Sequence, residues 1–509
     1  MRKRALAIVL SFSFVIDPVA SASANKVLIP PHLPLPRQSA AKDVNARIRR
    51  VEEGLLLPVS VKGEPSPLIR LSDRLRFYKT PGLSIALINN GVIEWTRGYG
   101  ETESGNGKPV TATTLFQAGS ISKAVTAIAV MRLVEAGKLD LDEDVNKKLA
   151  SWKIPENEFT RQKKVTLRQL LSHNAGVNIP SFIGYLTYEK VPTLVQVLDG
   201  VKPANTGPIR VVRLPGSGFS YSGGGYTIVQ QLLIDVEKKA FPVLMKDLLF
   251  GPLGLRHITF EQQPLPPYLA GLATAGHNYN GETPPGKWRI FPELAAAGLW
   301  ATPSDLARMF IDIERSRAGR PKTFLSTASV NEMVTPQAGN WGLGFSIESV
   351  RGGPRYGHGG STLEFNALVA IYAGSGRGVV IMTNGLRGNA LMNEVLRSIA
   401  REYGWGDFQQ KERTIAKIDP KVYADYLGQY QFEFSSDYSI KVDLNSGNLT
   451  TELKQPTSTS RATIYPESDT RFFRKDIDVE ISFVRDQTGH VTHLILRQEG
   501  QDLRANRIN

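Results

Sequence analysis

Paired apolar runs separated by turn signals recur along the chain. Leu83 to Ile88, Asn89-Asn90-Gly91 and Val92 to Arg97 form one such pair. This is the pattern of a β-hairpin, because Asn-Gly supplies the positive-φ residues that a tight turn needs. Ala367 to Tyr372, Gly374-Ser375-Gly376 and Val379 to Met382 form another. Between them the period changes: Ser120 to Glu135 sets Val125, Ile128, Ala129 and Leu133 at helical spacing and stops at Gly137. That spacing predicts a helix starting at or near Ser120. A closing helix is expected over Asn389 to Tyr403. Strands at both ends of a helical, loop-rich stretch imply a sheet built from both ends and covered by helices.

Near Asp419 the pattern changes again. Tyr438, Ile440, Val442 and Leu444 alternate, Asn445-Ser446-Gly447 turns the chain, and Val479, Ile481 and Phe483 alternate before a turn at Asp486 to Gly489 and the run Val491 to Leu496. This is an all-β pattern of short strands. A domain boundary therefore falls between Trp405 and Asp419, with residues 66–405 as the main domain, 406–418 as a linker and 419–509 as a smaller barrel-like domain. The length of 509 residues agrees, since it exceeds what one hydrophobic core normally serves.

The N-terminus has a different character. Arg2, Lys3 and Arg4 precede an apolar run from Ala5 to Ile16, then Pro18 and the small-x-small sequences Ala20-Ser21-Ala22 and Ala22-Ser23-Ala24. This is the plan of a signal peptide over 1–24, so a periplasmic or secreted protein beginning near Asn25 is expected. The run is too short to span a bilayer comfortably, and no stable membrane insertion is expected after cleavage. Pro30, Pro31, Pro34 and Pro36 suggest an extended lead-in, placed at 25–65.

Composition narrows the chemistry. A net charge of +13 raises nucleic acid as a partner, but the Lys and Arg residues are scattered and often sit beside Asp or Glu, which argues against it. The absence of Cys removes thiolate nucleophiles, disulfides and Cys-ligated zinc. No His spacing suits a metal and no phosphate-loop motif is present, so neither metal nor cofactor is expected.

Three separated motifs carry candidate chemistry. In Ser120-Ile121-Ser122-Lys123, the Ser and Lys share a helical face, so Lys123 can reach the Ser120 hydroxyl and, if burial lowers its pKa, take its proton. Alone, such a pair arises on many helix surfaces. Tyr221-Ser222-Gly223 lies in a glycine-rich stretch, where a Tyr packed in a turn is the simpler explanation. His358-Gly359-Gly360-Ser361 precedes an apolar hairpin, where an isolated His is more often structural.

Taken together, Phe116 to Lys123, Tyr221-Ser222-Gly223 and His358-Gly359-Gly360 resemble, in order and spacing, the motifs of the penicillin-recognising serine hydrolases, close to class C β-lactamases and their D-peptidase relatives. Val165 to Gly176, Pro252-Leu253-Gly254-Leu255 and Ala297 to Leu306 resemble supporting stretches of that superfamily. The resemblance covers roughly Leu68 to Tyr403.

It implies an α+β fold, an antiparallel sheet flanked by helices, followed by an all-β domain similar to the lipocalin-like appendage of some relatives. It also implies Ser120 as nucleophile, with Lys123 and Tyr221 moving its proton and nearby positive charge favouring the Tyr221 phenolate. His358 would meet a carboxylate or set the local charge. Gly359 and Gly360 would admit the substrate backbone, and the amides of Ser120 and Ser361 would form the oxyanion hole. His173 falls where the family has scaffold. Gly223 departs from the family, which often carries Asn there. The expected substrate is a small peptide or related amide; an ester, a β-lactam or a non-turnover acyl-binding role remain alternatives.

Overall fold

A computed structural model of the chain describes residues 42–508, apart from 68, 263, 457, 499 and 500. The expected signal peptide lies outside the described residues. Among the described residues two compact units emerge: one holds residues 42–46 and Ser72–Met392, and the other joins Arg47–Leu71 to the chain from Asn393 onward.

The first unit is built on a six-stranded antiparallel sheet. Its order is Val92–Gly100, Gly82–Asn89, Arg377–Thr383, Asn366–Tyr372, Gly353–Ser361, Ser346–Val350. The early hairpin turns through Asn90 (φ 54°) and Gly91 (φ 75°), the left-handed pair that its sequence predicts. Leu83 to Ile88 then pair with Thr383 to Gly378, so strands from opposite ends of the unit are neighbours. Nearly every residue of Gly82–Asn89, Asn366–Tyr372 and Arg377–Thr383 is buried. Successive side chains face opposite ways, so these strands are covered on both faces, which explains why they read as unbroken apolar runs. Helix Pro303–Arg317 packs on the early hairpin and on Arg377–Thr383, while helix Ile121–Glu135 packs on Gly353–Ser361 and Asn366–Tyr372. The chain thus has the α+β architecture of an antiparallel sheet flanked by helices.

Helix Ile121–Glu135 differs from its sequence pattern in one respect. A single apolar stripe predicts a half-buried helix, yet every residue from Ile121 to Met131 is buried. Ala124, Ala127 and Ala129 fill the positions between the larger apolar residues, and their small size lets neighbouring segments close around the whole cylinder. Gly344 comes so close that an added Cβ would lie 2.5 Å from that of Ala127.

The second unit is a nearly closed barrel of nine antiparallel strands, with Ser458–Thr463 and Tyr465–Pro466 at the two ends of the sheet order. Alternate residues point inward and fill it: Tyr430, Phe432, Ile440, Val442, Phe472, Ile481, Phe483 and Leu494 are all buried. Tyr426 stacks on Phe483 at 4.2 Å between ring centroids.

The extended lead-in expected over 25–65 needs correction where it is described. Lys42–Glu53 is a helix, in which Ile48 and Val51 are buried and Arg50 pairs with Glu402 at 2.6 Å. Val59–Val61 then pairs in parallel with Lys411–Arg413, inside the stretch read as a linker. A three-residue parallel pairing between segments so far apart leaves no periodic signature in either. Arg413 anchors this junction, bonding Glu467 at 2.8 Å and Glu480 at 3.2 Å while its side chain is 4% exposed. Among the described residues, no helix is long and apolar enough to cross a membrane.

Arg413→Ala strands those partly buried carboxylates without their counter-ion. Because the carboxylates keep some solvent, the expected loss is about 2 kcal/mol rather than the larger cost of a fully buried pair. Urea unfolding followed by the barrel's tyrosine fluorescence measures it; an unchanged midpoint would show that Arg413 does not anchor the junction.

Candidate active site

Ser120 is the residue before helix Ile121–Glu135, and its hydroxyl makes no capping bond to that helix. It is only partly buried, so a ligand can reach it. The turn that carries it is clamped: Ser122 Oγ donates to the Gly119 carbonyl at 2.6 Å and accepts from Leu299 N–H at 3.0 Å. Lys123 Nζ lies 2.9 Å from Ser120 Oγ and donates to the Ala296 carbonyl at 2.8 Å. Lys123 is 2% exposed. Both of these bonding partners are uncharged oxygens, so burial penalises the ammonium and brings its pKa down to about 7. A lysine in that state is substantially neutral at physiological pH and can accept the Ser120 proton.

Tyr221 closes the other side of Ser120, whose hydroxyl is close enough to act on the phenol. Its ring lies 4.3 Å from that of His173 and 5.5 Å from that of Trp341, and the ring centroid is 5.1 Å from Lys123 Nζ. The phenolate expected at Tyr221 is not what this environment favours. Enclosure of the phenol pushes its pKa up, and the Ser120 hydroxyl only partly opposes the rise. Tyr221 is therefore a neutral O–H that can pass a proton on.

Strand Gly353–Ser361 forms the opposite wall. Its pairing with Ser346–Val350 ends at Gly357, while its pairing with Asn366–Tyr372 continues to Ser361. Thr362 N–H donates to the Phe365 carbonyl across that second pairing. Alternation then turns the Ser361 amide the other way, toward the open edge. That edge faces the turn that carries Ser120: a Cβ on Gly119 (φ 50°) would lie 2.8 Å from Ser361 N, and one on Gly360 would lie 1.9 Å from the Ala118 carbonyl. Only glycine permits this approach. It brings the Ser361 amide beside the Gly119-Ser120 peptide, the arrangement an oxyanion hole requires.

His358 on this strand is 4% exposed. Its Nδ1 lies 2.5 Å from the Gly359 carbonyl. A carbonyl can only accept, so Nδ1 carries the proton and Nε2 keeps a lone pair, which has no partner among the described residues. Burial, with the Lys123 charge adding to it, lowers the imidazole pKa to about 3. In the ligand-free site His358 is a neutral imidazole, and its open lone pair suits a hydrogen-bond donor.

His173 is buried at φ 57°, accepts from Ser222 N–H at 3.1 Å through Nδ1 and packs on Tyr221, so it orients the Tyr221 loop.

Two acids near the site went unread in the sequence. Glu293, next to helix Leu294–Ala297 that presents the Ala296 carbonyl, is fully buried, neither carboxylate oxygen has a hydrogen-bond partner among the described residues, and burial raises its pKa to about 8. Glu364 accepts from Arg289 Nε at 2.8 Å, and the Arg289 carbonyl accepts from Gln117 Nε2 at 2.6 Å, tying the segments before Ser120 and after Ser361 together. The only advance signal is a lone acid in an apolar run. Among the described residues, no group of three or more His, Asp or Glu is placed to hold a metal ion.

Comparison with known proteins gives a family context. Residues 69–403 match the family described as Beta-lactamase, and residues 412–507 match a domain of unknown function, DUF3471. Penicillin-binding protein 4 of Amycolatopsis lactamdurans is 27% identical over 381 residues, covering 71% of this chain and 96% of that protein. Protein flp of Staphylococcus aureus is 29% identical over 224 residues, 44% of this chain; the match spans 42% of that relative's length. The octameric penicillin-binding protein homologue from Pyrococcus abyssi superposes with a TM-score of 0.57 at 21% identity, over 85% of this chain and 98% of that one, which shows the shared fold.

If neutral Lys123 activates Ser120, the rate at which a fluorophosphonate labels Ser120 should rise with pH through about 7 and level off above it. Stopped labelling followed by intact mass measures this. A rate independent of pH between roughly 5 and 9 would mean that Lys123 is not the proton acceptor. Tyr221→Phe should keep the ring packing but slow turnover by about 10²-fold or more, a typical general acid–base contribution. Unaltered steady-state turnover would remove the hydroxyl from the mechanism.

Proposed function

The chain belongs to the β-lactamase family of serine hydrolases, and on that premise we propose that it cleaves an acyl compound, a small peptide or related amide, through an acyl-enzyme on Ser120. The observation that carries this reading is Lys123 Nζ at 2.9 Å from Ser120 Oγ with its pKa brought down to about 7.

Ser120 Oγ attacks the carbonyl carbon and gives its proton to the Lys123 amine. The carbonyl oxygen takes the negative charge and is held by the amides of Ser120 and Ser361. Tyr221 O–H passes a proton to the leaving nitrogen or oxygen as the C–N or C–O bond breaks, and is reprotonated from Lys123. Water then attacks the ester carbonyl by the reverse proton path, releasing the acid and restoring Ser120. The work is placed outside the cytoplasm, periplasmic or secreted, on the strength of the charged-apolar-small pattern of residues 1–24.

Ester hydrolysis is a second reading with its own support. His358 is neutral, and Gly223 offers no side-chain amide to orient a peptide, so neither departure favours a charged or peptide-like ligand.

Ser120→Ala should abolish hydrolysis while costing at most about 2 kcal/mol of stability, the upper range for a residue at a helix start. Product formation by the wild type and this variant on a panel of peptides, esters and a β-lactam is the test. Equal turnover by both proteins would sink the mechanism, and a stable Ser120 adduct without product release would favour an acyl-binding role.

A further inference from the structure

The place vacated at Gly223 is not empty. Ser222 is extended (φ −141°, ψ 115°), so side chains at positions 221 and 223 leave the backbone on the same side. Tyr221 uses that side to reach Ser120. A side chain at 223 would therefore leave the backbone on the side from which Tyr221 approaches Ser120.

What stands there is Phe182. A Cβ added to Gly223 would lie 2.9 Å and 3.3 Å from two carbons of the Phe182 ring, and 3.1 Å from the Pro180 carbonyl. These separations exclude an Asn unless the ring moves. Phe182 is half-buried, packed against the main core on one side and open on the other. Beside it Ile183 is 54% exposed. The far side of Tyr221 is apolar too: Trp341 lies against the Tyr221 ring at 5.5 Å and stacks on Phe219 at 5.6 Å.

We propose that Phe182 is a specificity-determining residue, an aromatic wall beside Gly223 that selects an uncharged acyl group presenting an apolar surface over a peptide-like one, and so decides between the amide and ester readings in favour of the ester. This rests on Ser120 being the nucleophile. An acyl group that brings an N–H and C=O to this wall loses their water and finds no partner, whereas an alkyl or aryl acyl group buries area against the ring. Such asymmetry is the usual source of strong discrimination between ligands of similar size.

The test measures kcat/KM on two series of 4-nitrophenyl esters, one with alkyl or phenylalkyl acyl groups and one with N-acetyl-aminoacyl groups of matched length. The full-length mature protein is used, with fluorophosphonate labelling of Ser120 run in parallel for every variant. Wild type should favour the apolar series by about 10-fold or more, in line with the loss of a buried hydrogen-bonding partner. Phe182→Gln, of similar reach but bearing an amide, should reduce that ratio at least several-fold, and Phe182→Ala with Gly223→Asn should reverse it. Gly223→Asn alone should depress both series, because the ring still occupies the space. A purely structural role for Phe182 would lower both series together and leave the ratio fixed. A fixed ratio in the Phe182→Gln variant, with Ser120 labelling intact, would overturn the inference and leave the serine-hydrolase reading standing. No Ser120 label in the wild type would overturn that reading itself.

Discussion

Removal of one amine from water is the constraint around which the first unit is arranged. Lys123 sits on a helix buried on every side, with a serine hydroxyl and a backbone carbonyl as its hydrogen-bonding partners. Lowering its pKa from 10.5 to about 7 corresponds to a cost on the order of 5 kcal/mol against the charged form. That penalty is sustained only because the helix belongs to a large continuous apolar core, which holds the amine in place. The same burial governs the neighbours. It keeps Tyr221 a phenol, His358 and His173 neutral, and Glu293 largely protonated at neutral pH. The site is thus one of low formal charge, in which a proton shared between Ser120, Lys123 and Tyr221 can move without separating large charges from solvent.

Backbone approach supplies the second half of the geometry. The sheet joins strands from both ends of the unit, and its penultimate strand runs past the end of its edge neighbour. That unpaired edge would expose amide groups to aggregation or to water. Here it lies against the turn that carries Ser120, and glycine at 119 and 360 removes the two Cβ atoms that would hold strand and turn apart. An oxyanion hole at this place would need no dedicated side chains, since its amides are presented by where one strand stops pairing and the next continues.

Much of this was legible in the chain. The hairpin around Asn89-Asn90-Gly91, the start of a helix at Ser120 and the alternating strands after Asp419 follow from periodicity and turn chemistry, because those segments are regular enough to carry a period. Ser120, Lys123, Tyr221 and His358 stand out as a set through their order and spacing, and the structure places their side chains near one another. Protonation states were not legible, because a motif carries no information on burial: a lysine nearby suggests a phenolate, and enclosure reverses it. Helix Lys42–Glu53 and the parallel pair Val59–Val61 with Lys411–Arg413 escaped because Pro-rich flanks and three-residue strands mask them. Phe182 escaped for a related reason, since nothing in either segment announces that residue 182 stands over residue 223.

Burial holds Lys123 neutral for a large fraction of the time near pH 7, and its protonation is open to direct observation. Lysines labelled with carbon-13 at Cε report their own protonation by NMR, and a Lys123→Arg variant assigns the signal. One resonance titrating near 7, present in the wild type and missing from the variant, is the expected result. A spectrum in which every lysine titrates near its ordinary value of about 10.4 would contradict it, and would require another base for Ser120.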